Sequence, residues 1–267
     1  RVHLPANIAG YVGGDHTSAL LTTQAYPPDH TLVLVDIGTN TEISLVRGGA
    51  IYTCSTASGP AFEGAHIRDG MRAAPGAVEA VHIRADGGVA VGTIGRLAPV
   101  GICGSGILQG IAQMAAAGII DQRGVLDRNH PRVRPDRHNR AEFLLVSAEQ
   151  TGHGRDITIT RRDVNEIQLA KGAIRAGIEV LLGKAGIGAE QVDDWIIAGA
   201  FGTYLDLGSA LRVGMFPHQP LERFHQVGNA AGVGARQMLL SCRQRERACQ
   251  IIERVHYVEL TIEPAFE

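Results

Sequence analysis

The sequence predicts an α/β fold in which a mixed β-sheet is flanked by helices. Three short apolar segments joined by tight turns, at 32–35, 41–46 and 50–55, indicate an antiparallel three-strand meander. Apolar residues at helical spacing over 161–185 predict a long amphipathic helix. The next apolar segment, 195–198, reads as a further buried strand, so that helices and strands alternate around one sheet.

Composition narrows the class of protein. The chain has 267 residues, a net charge of −2 and 45% hydrophobic residues, which is enough for one large domain or two small ones. No apolar run is long enough to span a bilayer, and the charge gives no reason to expect nucleic acid or a membrane as partner. The cysteines contain no C-x-x-C pair, so we expect unpaired thiols in a cytoplasmic protein and no zinc or iron–sulfur site from this chain.

Residues 1–30 are interpreted as a connector segment that precedes a nucleotide-binding domain over 31–267. Asp15 is the expected N-cap of a short helix of small residues that extends to Gln24. Small side chains would let this helix pack close to another backbone. A proline-containing turn then leads into the first strand.

The first hairpin, formed by the segments at 32–35 and 41–46, contains a candidate site for a phosphate and a metal ion. Its first strand ends at Asp36, and its tip contains Gly38. Glycine permits backbone angles closed to other residues, so successive N–H groups at the tip could converge on a phosphate. Asp36 is suited to hold Mg²⁺ through water, because that ion keeps much of its hydration shell. The alternative is an ordinary hairpin whose Asp and Asn serve the turn.

A glycine-rich loop at 100–107 follows two predicted strands within 76–94 and opens a helix. Backbone N–H groups at such a start can bind an anion, and close helix packing is the equally weighted alternative. The loop matches neither a P-loop nor G-x-G-x-x-G. Cys103 within it is expected to be a small buried residue rather than a nucleophile.

Residues from about 121 to 156 are expected to form a surface insertion, because 121–140 combine six arginines and three aspartates with no apolar period. The long helix should begin after Thr160, which with Asp163 resembles a capping box. Lys171 lies on or beside the apolar face of this helix. It could reach a ligand, or its stem could extend along the helix to solvent.

The strand at 195–198 runs into four small or aromatic residues, Gly199, Ala200, Phe201 and Gly202. Small residues after a strand let a flat ring approach the backbone, at the edge where ligands of open α/β sheets bind. A second small-residue helix is expected at 227–236, a polar helix at 242–254 and a strand-like segment at 255–262.

This order of motifs resembles the second half of the ASKHA superfamily, which joins acetate and sugar kinases, heat-shock chaperones and actin. In that superfamily two ribonuclease-H-like halves close around ATP. Six segments also resemble the C-terminal actin-like ATPase domain of the reductive activators of corrinoid proteins. These segments are DIGTNTEISL, STASGPAFEGAHI, GICGSGI, EIQLAKGAIRAGIEVLL, IIAGAFGTYLD and VGNAAGVGA, and they span residues 36–235.

The resemblance implies a ribonuclease-H-like, actin-like fold and a set of site residues. Asp36 would be the catalytic residue and would bind Mg²⁺ through water. The hairpin tip would hold the β- and γ-phosphates, and residues 199–202 would pack on the adenine or ribose. The ATP-binding candidates are Gly38, Thr39, Asn40, Thr41, Gly104, Ser105, Gly106, Lys171, Gly199, Ala200, Phe201 and Gly202.

The resemblance also implies a function. The chain would be the ATP-binding domain of an activator that couples ATP hydrolysis to the reduction of Co(II) to Co(I). Its partner would be a corrinoid protein or a corrinoid-dependent methyltransferase, and a homodimer is left open. A [2Fe–2S] cluster is expected only in an N-terminal domain missing from this chain. The first of the family's two phosphate hairpins is missing as well. We therefore expect ATPase activity in the complete protein and almost none in this fragment.

Two alternatives belong to other functional classes. A small-molecule kinase of the same superfamily would need a substrate pocket and a catalytic base, and phosphotransfer to an added metabolite would support it. A non-enzymatic module would only dock the corrinoid protein. Retained partner binding without nucleotide binding would support that module.

Overall fold

The computed structural model describes residues 2–266, which form two compact units. The first unit contains residues 2–58, 173–204 and 216–266, and the second contains residues 59–172 and 205–215. Within the segment expected to be a connector, residues 2–30 thus belong to the same unit as the first hairpin.

The strands of the described residues are numbered in chain order. They are β1 (Leu32–Ile37), β2 (Thr41–Arg47), β3 (Ala50–Thr56), β4 (Ala77–Ile83), β5 (Val89–Thr93), β6 (Gly101–Ile102), β7 (Val133–Pro135), β8 (Ala141–Val146), β9 (Ile157–Thr160), β10 (Asp194–Ala198), β11 (Phe224–Gly228) and β12 (Val255–Tyr257). The α-helices are α1 (Gly14–Thr22), α2 (Gly104–Ala116), α3 (Arg161–Ala185), α4 (Leu207–Arg212), α5 (Ala230–Leu240) and α6 (Cys242–Ile252).

The sheet of the first unit mixes parallel and antiparallel strands, as the sequence predicted. Its strand order is β11-β10-β1-β2-β3-β12. The three strands β1, β2 and β3 form the expected antiparallel meander, whereas β10 and β11 run parallel to β1. The segment expected to be strand-like at 255–262 is only partly so, because β12 ends at Tyr257 and a 3₁₀ turn follows at Leu260–Ile262.

Both faces of this sheet are covered, which explains why four consecutive residues of β1 are buried. On one face, Leu32 and Leu34 share a buried apolar cluster with residues of α1, α5 and α6. On the other face, the part of α3 that lies in the first unit packs against β2 and β3. A side chain on Gly177 would meet Thr56 Cγ2 at 2.6 Å and Ile43 Cδ1 at 2.9 Å, so glycine lets the helix approach the strands.

The two small-residue helices, α1 and α5, pack closely against each other, as their composition suggested. A Cβ atom on Gly234 would overlap the backbone carbonyl of Ser18. The expectation that Asp15 is the N-cap of α1 is wrong, because Gly13 occupies that position and Asp15 lies in the first turn. Its carboxylate instead accepts a hydrogen bond from the adjacent His16 N–H at 2.9 Å.

Helix α3 begins and ends at the residues predicted from the sequence, and its N-terminus carries the expected capping box. The Thr160 N–H donates to Asp163 Oδ2 at 2.7 Å, and the Asp163 N–H donates to Thr160 Oγ1 at 3.2 Å. Asp163 therefore replaces the usual Glu in this motif.

The second unit contains two three-stranded sheets, in the orders β5-β4-β6 and β7-β8-β9. The arginine-rich segment before residue 140 is largely turns, but β8 and β9 that follow it are buried, with Phe143 and Ile159 fully enclosed. The segment expected to be a surface insertion thus supplies part of the core of this unit.

Within residues 2–266, none of the helices combines the length and the apolar character that crossing a bilayer requires.

Candidate functional site

The first hairpin and the loop after β10 meet at one edge of the first unit's sheet. Asp36 pairs with Ala198, so the ends of β1 and β10 lie side by side. The Gly199 N–H donates to the Gly228 carbonyl at 3.0 Å, which joins the end of β11 to the same edge. This is the carboxyl edge of parallel strands, where open α/β sheets bind ligands.

Gly199 is required at this edge by the fold itself. Its φ of +93° lies in the region that favours glycine. A Cβ atom there would overlap the Ile37 carbonyl and would lie 2.9 Å from Asp36 Oδ1. The Asp36 carboxylate therefore lies directly against the Gly199 backbone, and any side chain at 199 would displace it.

The hairpin tip, residues 38–40, is exposed. Gly38 does not have a positive φ, so the turn does not use the additional backbone freedom that glycine permits. Its N–H donates to the Asn40 carbonyl at 3.1 Å, so this group closes the turn. Thr41 is buried, so Thr39 and Asn40 are the exposed tip residues beside Gly38 that could contact a phosphate.

A buried serine that was not identified from the sequence fixes the hairpin tip. Ser58 Oγ lies 2.8 Å from Thr41 Oγ1 and 3.3 Å from the carbonyl oxygens of both Gly38 and Thr39. Because hydroxyls can both donate and accept, Ser58 can serve the tip and Thr41 together. Ser58 follows β3, so no local pattern in the hairpin indicates its role.

Three carboxylates, those of Asp36, Glu42 and Asp15, influence one another at this edge. Asp36 and Glu42 are directly opposite each other in the β1–β2 pair, which places both side chains on one face. Burial, reinforced by the charge of Asp15, raises the pKa of Asp36 to about 6. Burial likewise raises the pKa of Glu42 to about 7, with the charges of Asp36 and Asp15 adding to it and a hydrogen bond from Ser55 opposing it. A cation bound here would relieve this repulsion.

A buried polar chain runs from α1 into the adjoining sheet. His16 Nε2 lies 2.7 Å from Ser44 Oγ, which lies 2.7 Å from Thr53 Oγ1. Burial lowers the pKa of His16 to about 4 against the opposing charge of Asp15, so the imidazole is neutral near pH 7. This chain fixes α1, and with it Asp15, on the sheet.

The loop proposed for the adenosine is fixed by two neighbouring side chains. The Thr203 hydroxyl donates to the Gly199 carbonyl at 3.2 Å, and Gln226 Nε2 donates to the Gly202 carbonyl at 2.6 Å. Gly202 is buried against Ile197, whereas Ala200 is exposed and Phe201 is half-buried. The loop therefore presents Ala200 and part of Phe201 outward.

The remaining predicted site residues belong to the second unit. Gly104, Ser105 and Gly106 begin α2, and a Cβ atom on Gly106 would overlap the Val78 carbonyl, which supports the packing alternative for that glycine. Cys103 is buried, with its Sγ 3.3 Å from the same carbonyl. Lys171 is half-buried, and its Nζ lies 3.7 Å from the position of a Cβ atom on Gly214.

The strand order, the acid at the end of β1 and the paired small-residue helices together define an actin-like, ASKHA-type domain. The family described as the C-terminal domain of RACo, the ASKHA domain, matches residues 30–267. The chain therefore belongs to this family of C-terminal domains of RACo. Membership of an ASKHA family implies nucleotide binding.

Named relatives agree with this assignment. The chain is 38% identical over 270 residues to the corrinoid activation enzyme RamQ of Eubacterium limosum, covering 97% of this chain and 44% of that protein. It is 28% identical to a [Co(II) methylated amine-specific corrinoid protein] reductase of Methanosarcina barkeri, covering 96% of this chain and 47% of that protein. A solved reductive activator for corrinoid, iron–sulfur protein superposes with a TM-score of 0.88 at 40% identity, covering 97% of this chain and 42% of that one. The chain thus spans less than half the length of each of these proteins.

Proposed function

We propose that this chain is the ATP-binding domain of an ATP-dependent reductive activator of corrinoid proteins. The observation that carries the proposal is the position of Asp36 at the carboxyl edge of the sheet, half-buried against Gly199 and beside an exposed hairpin tip. An acid in this position meets a nucleotide whose phosphates lie at the tip and whose base lies at the next strand end.

Mg²⁺ is the metal that suits this edge. No group of three or more His, Cys, Asp or Glu side chains among residues 2–266 is placed to hold a metal ion by itself. Mg²⁺ needs no such group, because it keeps several waters and takes one or two carboxylates together with the phosphates of its ligand. Asp36, whose pKa is raised by burial and by Asp15, fits this requirement through water.

The nucleotide would be held by backbone on both sides of Asp36. The hairpin tip, at Thr39 and Asn40, would contact the β- and γ-phosphates, with Ser58 and buried Thr41 keeping its conformation. Ala200 and Phe201 would contact the adenine or ribose, because they are the outward-facing part of their loop.

ATP hydrolysis would supply conformational work rather than phosphorylate a substrate. Its catalysis would come from positioning and from the charge of the metal, with no covalent step on the protein. The conformational work would drive transfer of one electron to a Co(II) corrinoid protein, giving Co(I). The electron would come from a [2Fe–2S] cluster outside these 267 residues.

The test is phosphate release at saturating Mg-ATP by the purified chain and by the chain joined to the preceding segment of its relatives. We expect negligible turnover by the chain alone, because one half of the site leaves the transferred phosphoryl group in water. We expect turnover in the longer protein and a further increase with a Co(II) corrinoid protein. Equal turnover by both forms, or no turnover in the longer protein, would contradict the proposal.

A further inference from the structure

The second unit contains an open cavity of about 740 Å³ whose wall is rich in arginine. Three acidic residues also line it, so cations outnumber acids by two to one. The arginines are Arg68, Arg134, Arg137, Arg140, Arg161 and Arg162. The whole wall lies within residues 59–172 and is separate from the edge around Asp36.

The acids of this wall are already occupied by donors of the protein. Glu142, with a side chain only 4% exposed, accepts hydrogen bonds from Arg68 and from Arg134 Nε. Asp136 accepts both Nε and Nη2 of Arg140, at 3.0 and 2.8 Å.

Asp163 is occupied in the same way. Its Oδ2 accepts from the Thr160 N–H and hydroxyl, both at 2.7 Å, and its Oδ1 accepts from the Arg68 N–H at 2.8 Å. These carboxylates hold the wall in shape, and their acceptor oxygens are used in doing so.

Three arginines of the wall remain without a close acid. Among the described residues, Arg137 and Arg161 form no ion pair, and the carboxylate nearest to Arg162 is Glu166 at 3.9 Å. Arg161 Nη1 is buried with no hydrogen-bond partner in the described part of the chain. Arg161 and Arg162 also begin a helix of 25 residues, whose N-terminus already carries a positive dipole. An unbalanced positive charge of this kind is relieved by a bound anion.

We propose that this cavity binds the phosphate group of a small molecule. Arginine guanidinium groups present paired donors that match the oxygens of a phosphate, and Arg137 and Arg162 are exposed residues of this wall. The volume is that of a small-molecule site. A concave wall lined by six arginines suits a phosphate or its monoester better than the flat acidic face of a protein.

The experiment is a calorimetric titration of the purified chain with inorganic phosphate and, separately, with methyl phosphate, at constant ionic strength. The test variant is Arg137→Gln/Arg162→Gln, which changes two exposed positions of the wall. The matched control is Arg123→Gln/Arg155→Gln, which removes the same charge from exposed positions of the second unit outside the cavity. We expect binding in the parent and in the control, and affinity about tenfold lower in the test variant.

A comparison of the two probes distinguishes the sources of the phosphate. Tighter binding of methyl phosphate indicates a phosphate ester, and tighter binding of inorganic phosphate indicates the free ion. Melting temperatures with and without phosphate accompany each titration, so that an unfolded variant is recognised and replaced by the single change Arg137→Gln. Absence of binding in the parent, or equal weakening in the test and control variants, would overturn the proposal.

Discussion

The carboxylates of the two units have opposite surroundings. In the first unit, Asp36 lies opposite Glu42, and negative charge adds to burial in raising the pKa of both. In the second unit, Glu142 is more deeply buried but lies between the guanidinium groups of Arg68 and Arg134. One unit thus concentrates acids beside one another, whereas the other surrounds each acid with donors and keeps arginines in excess.

The difference shows which ligand charge each region suits. Buried acids without a counter-charge oppose folding when ionised, and such a cost is retained where a cation relieves it. Buried acids between arginines stabilise the wall they belong to and leave exposed Arg137 and Arg162, which lack a hydrogen-bonded acid among the described residues, for an anion. This contrast supports the proposals of a cation beside the nucleotide in the first unit and of an anion in the second.

The largest expected effect is the loss of a paired acid. Glu142→Gln should lower the free energy of unfolding by about 2 kcal/mol, because it leaves Arg68 without its counter-charge and Arg134 with Asp156 alone. The loss of stability is limited because Arg68 and Arg134 are 46% and 42% exposed and can regain water. Urea unfolding of the purified chain measures it.

The matched change in the first unit is Asp15→Asn, which removes one of the crowded acids. It should leave stability within about 0.5 kcal/mol of the parent or raise it slightly. If Asp15→Asn costs as much as Glu142→Gln, the contrast between the two units is wrong.

A second prediction tests the geometry of the acidic edge. Gly199→Ala should cost about 2 kcal/mol, because its Cβ would overlap the Ile37 carbonyl at a positive φ. Gly202→Ala should cost about 1 kcal/mol, since its Cβ would meet only Ile197 Cγ2 at 3.1 Å. Urea unfolding and ATP titration of both variants measure this. If Gly199→Ala weakened ATP binding at parental stability, the glycine would serve the ligand and not the strand.

A third prediction concerns pH. The pKa of Asp36 is raised by burial to about 6 in the folded chain, so the folded state binds its proton more tightly than the unfolded state. This group's contribution to stability is therefore lost as pH rises from about 4 through 6. Asp36→Asn should gain about 1–2 kcal/mol relative to the parent between pH 4 and pH 8.

The pH profile of Asp36→Asn must be compared with that of the parent, because His16 changes stability with pH in the opposite direction to Asp36. Burial lowers its pKa to about 4, so stability from this group is lost as pH falls below its unfolded value. Glu246→Gln, at an exposed position of α6, is the control and should keep the parental pH profile. Parallel profiles for the parent and Asp36→Asn would show that Asp36 is not destabilised by its surroundings.

Local sequence patterns were sufficient to predict much of the fold. The bounds of α3 followed from apolar spacing and from a capping box only four residues long. The β1–β2 hairpin followed from its alternation, and the fixed register of a hairpin makes Asp36 and Glu42 neighbours. The resemblance identified the family from short motifs along the chain.

Contacts between distant residues could not be predicted in this way. Ser58 reaches the tip from the end of the next strand, and Gly199 lies against Ile37 only because two parallel strands pair. The partners Arg68 and Glu142 are 74 residues apart, and a charged residue in an arginine-rich stretch gave no sign that it would be buried. The glycine at position 38 suggested N–H groups converging on a phosphate, but its own N–H closes the turn.

The most direct test of the central claim is whether Asp36 makes ATP binding depend on Mg²⁺. ATP is titrated with and without Mg²⁺ into the chain joined to the preceding segment of its relatives, as the parent, as Asp36→Asn and as the control Glu246→Gln. Mg²⁺ should tighten ATP binding by the parent and the control and should have little effect on Asp36→Asn. An equal effect of Mg²⁺ on all three proteins would contradict the assignment of the cation to this edge.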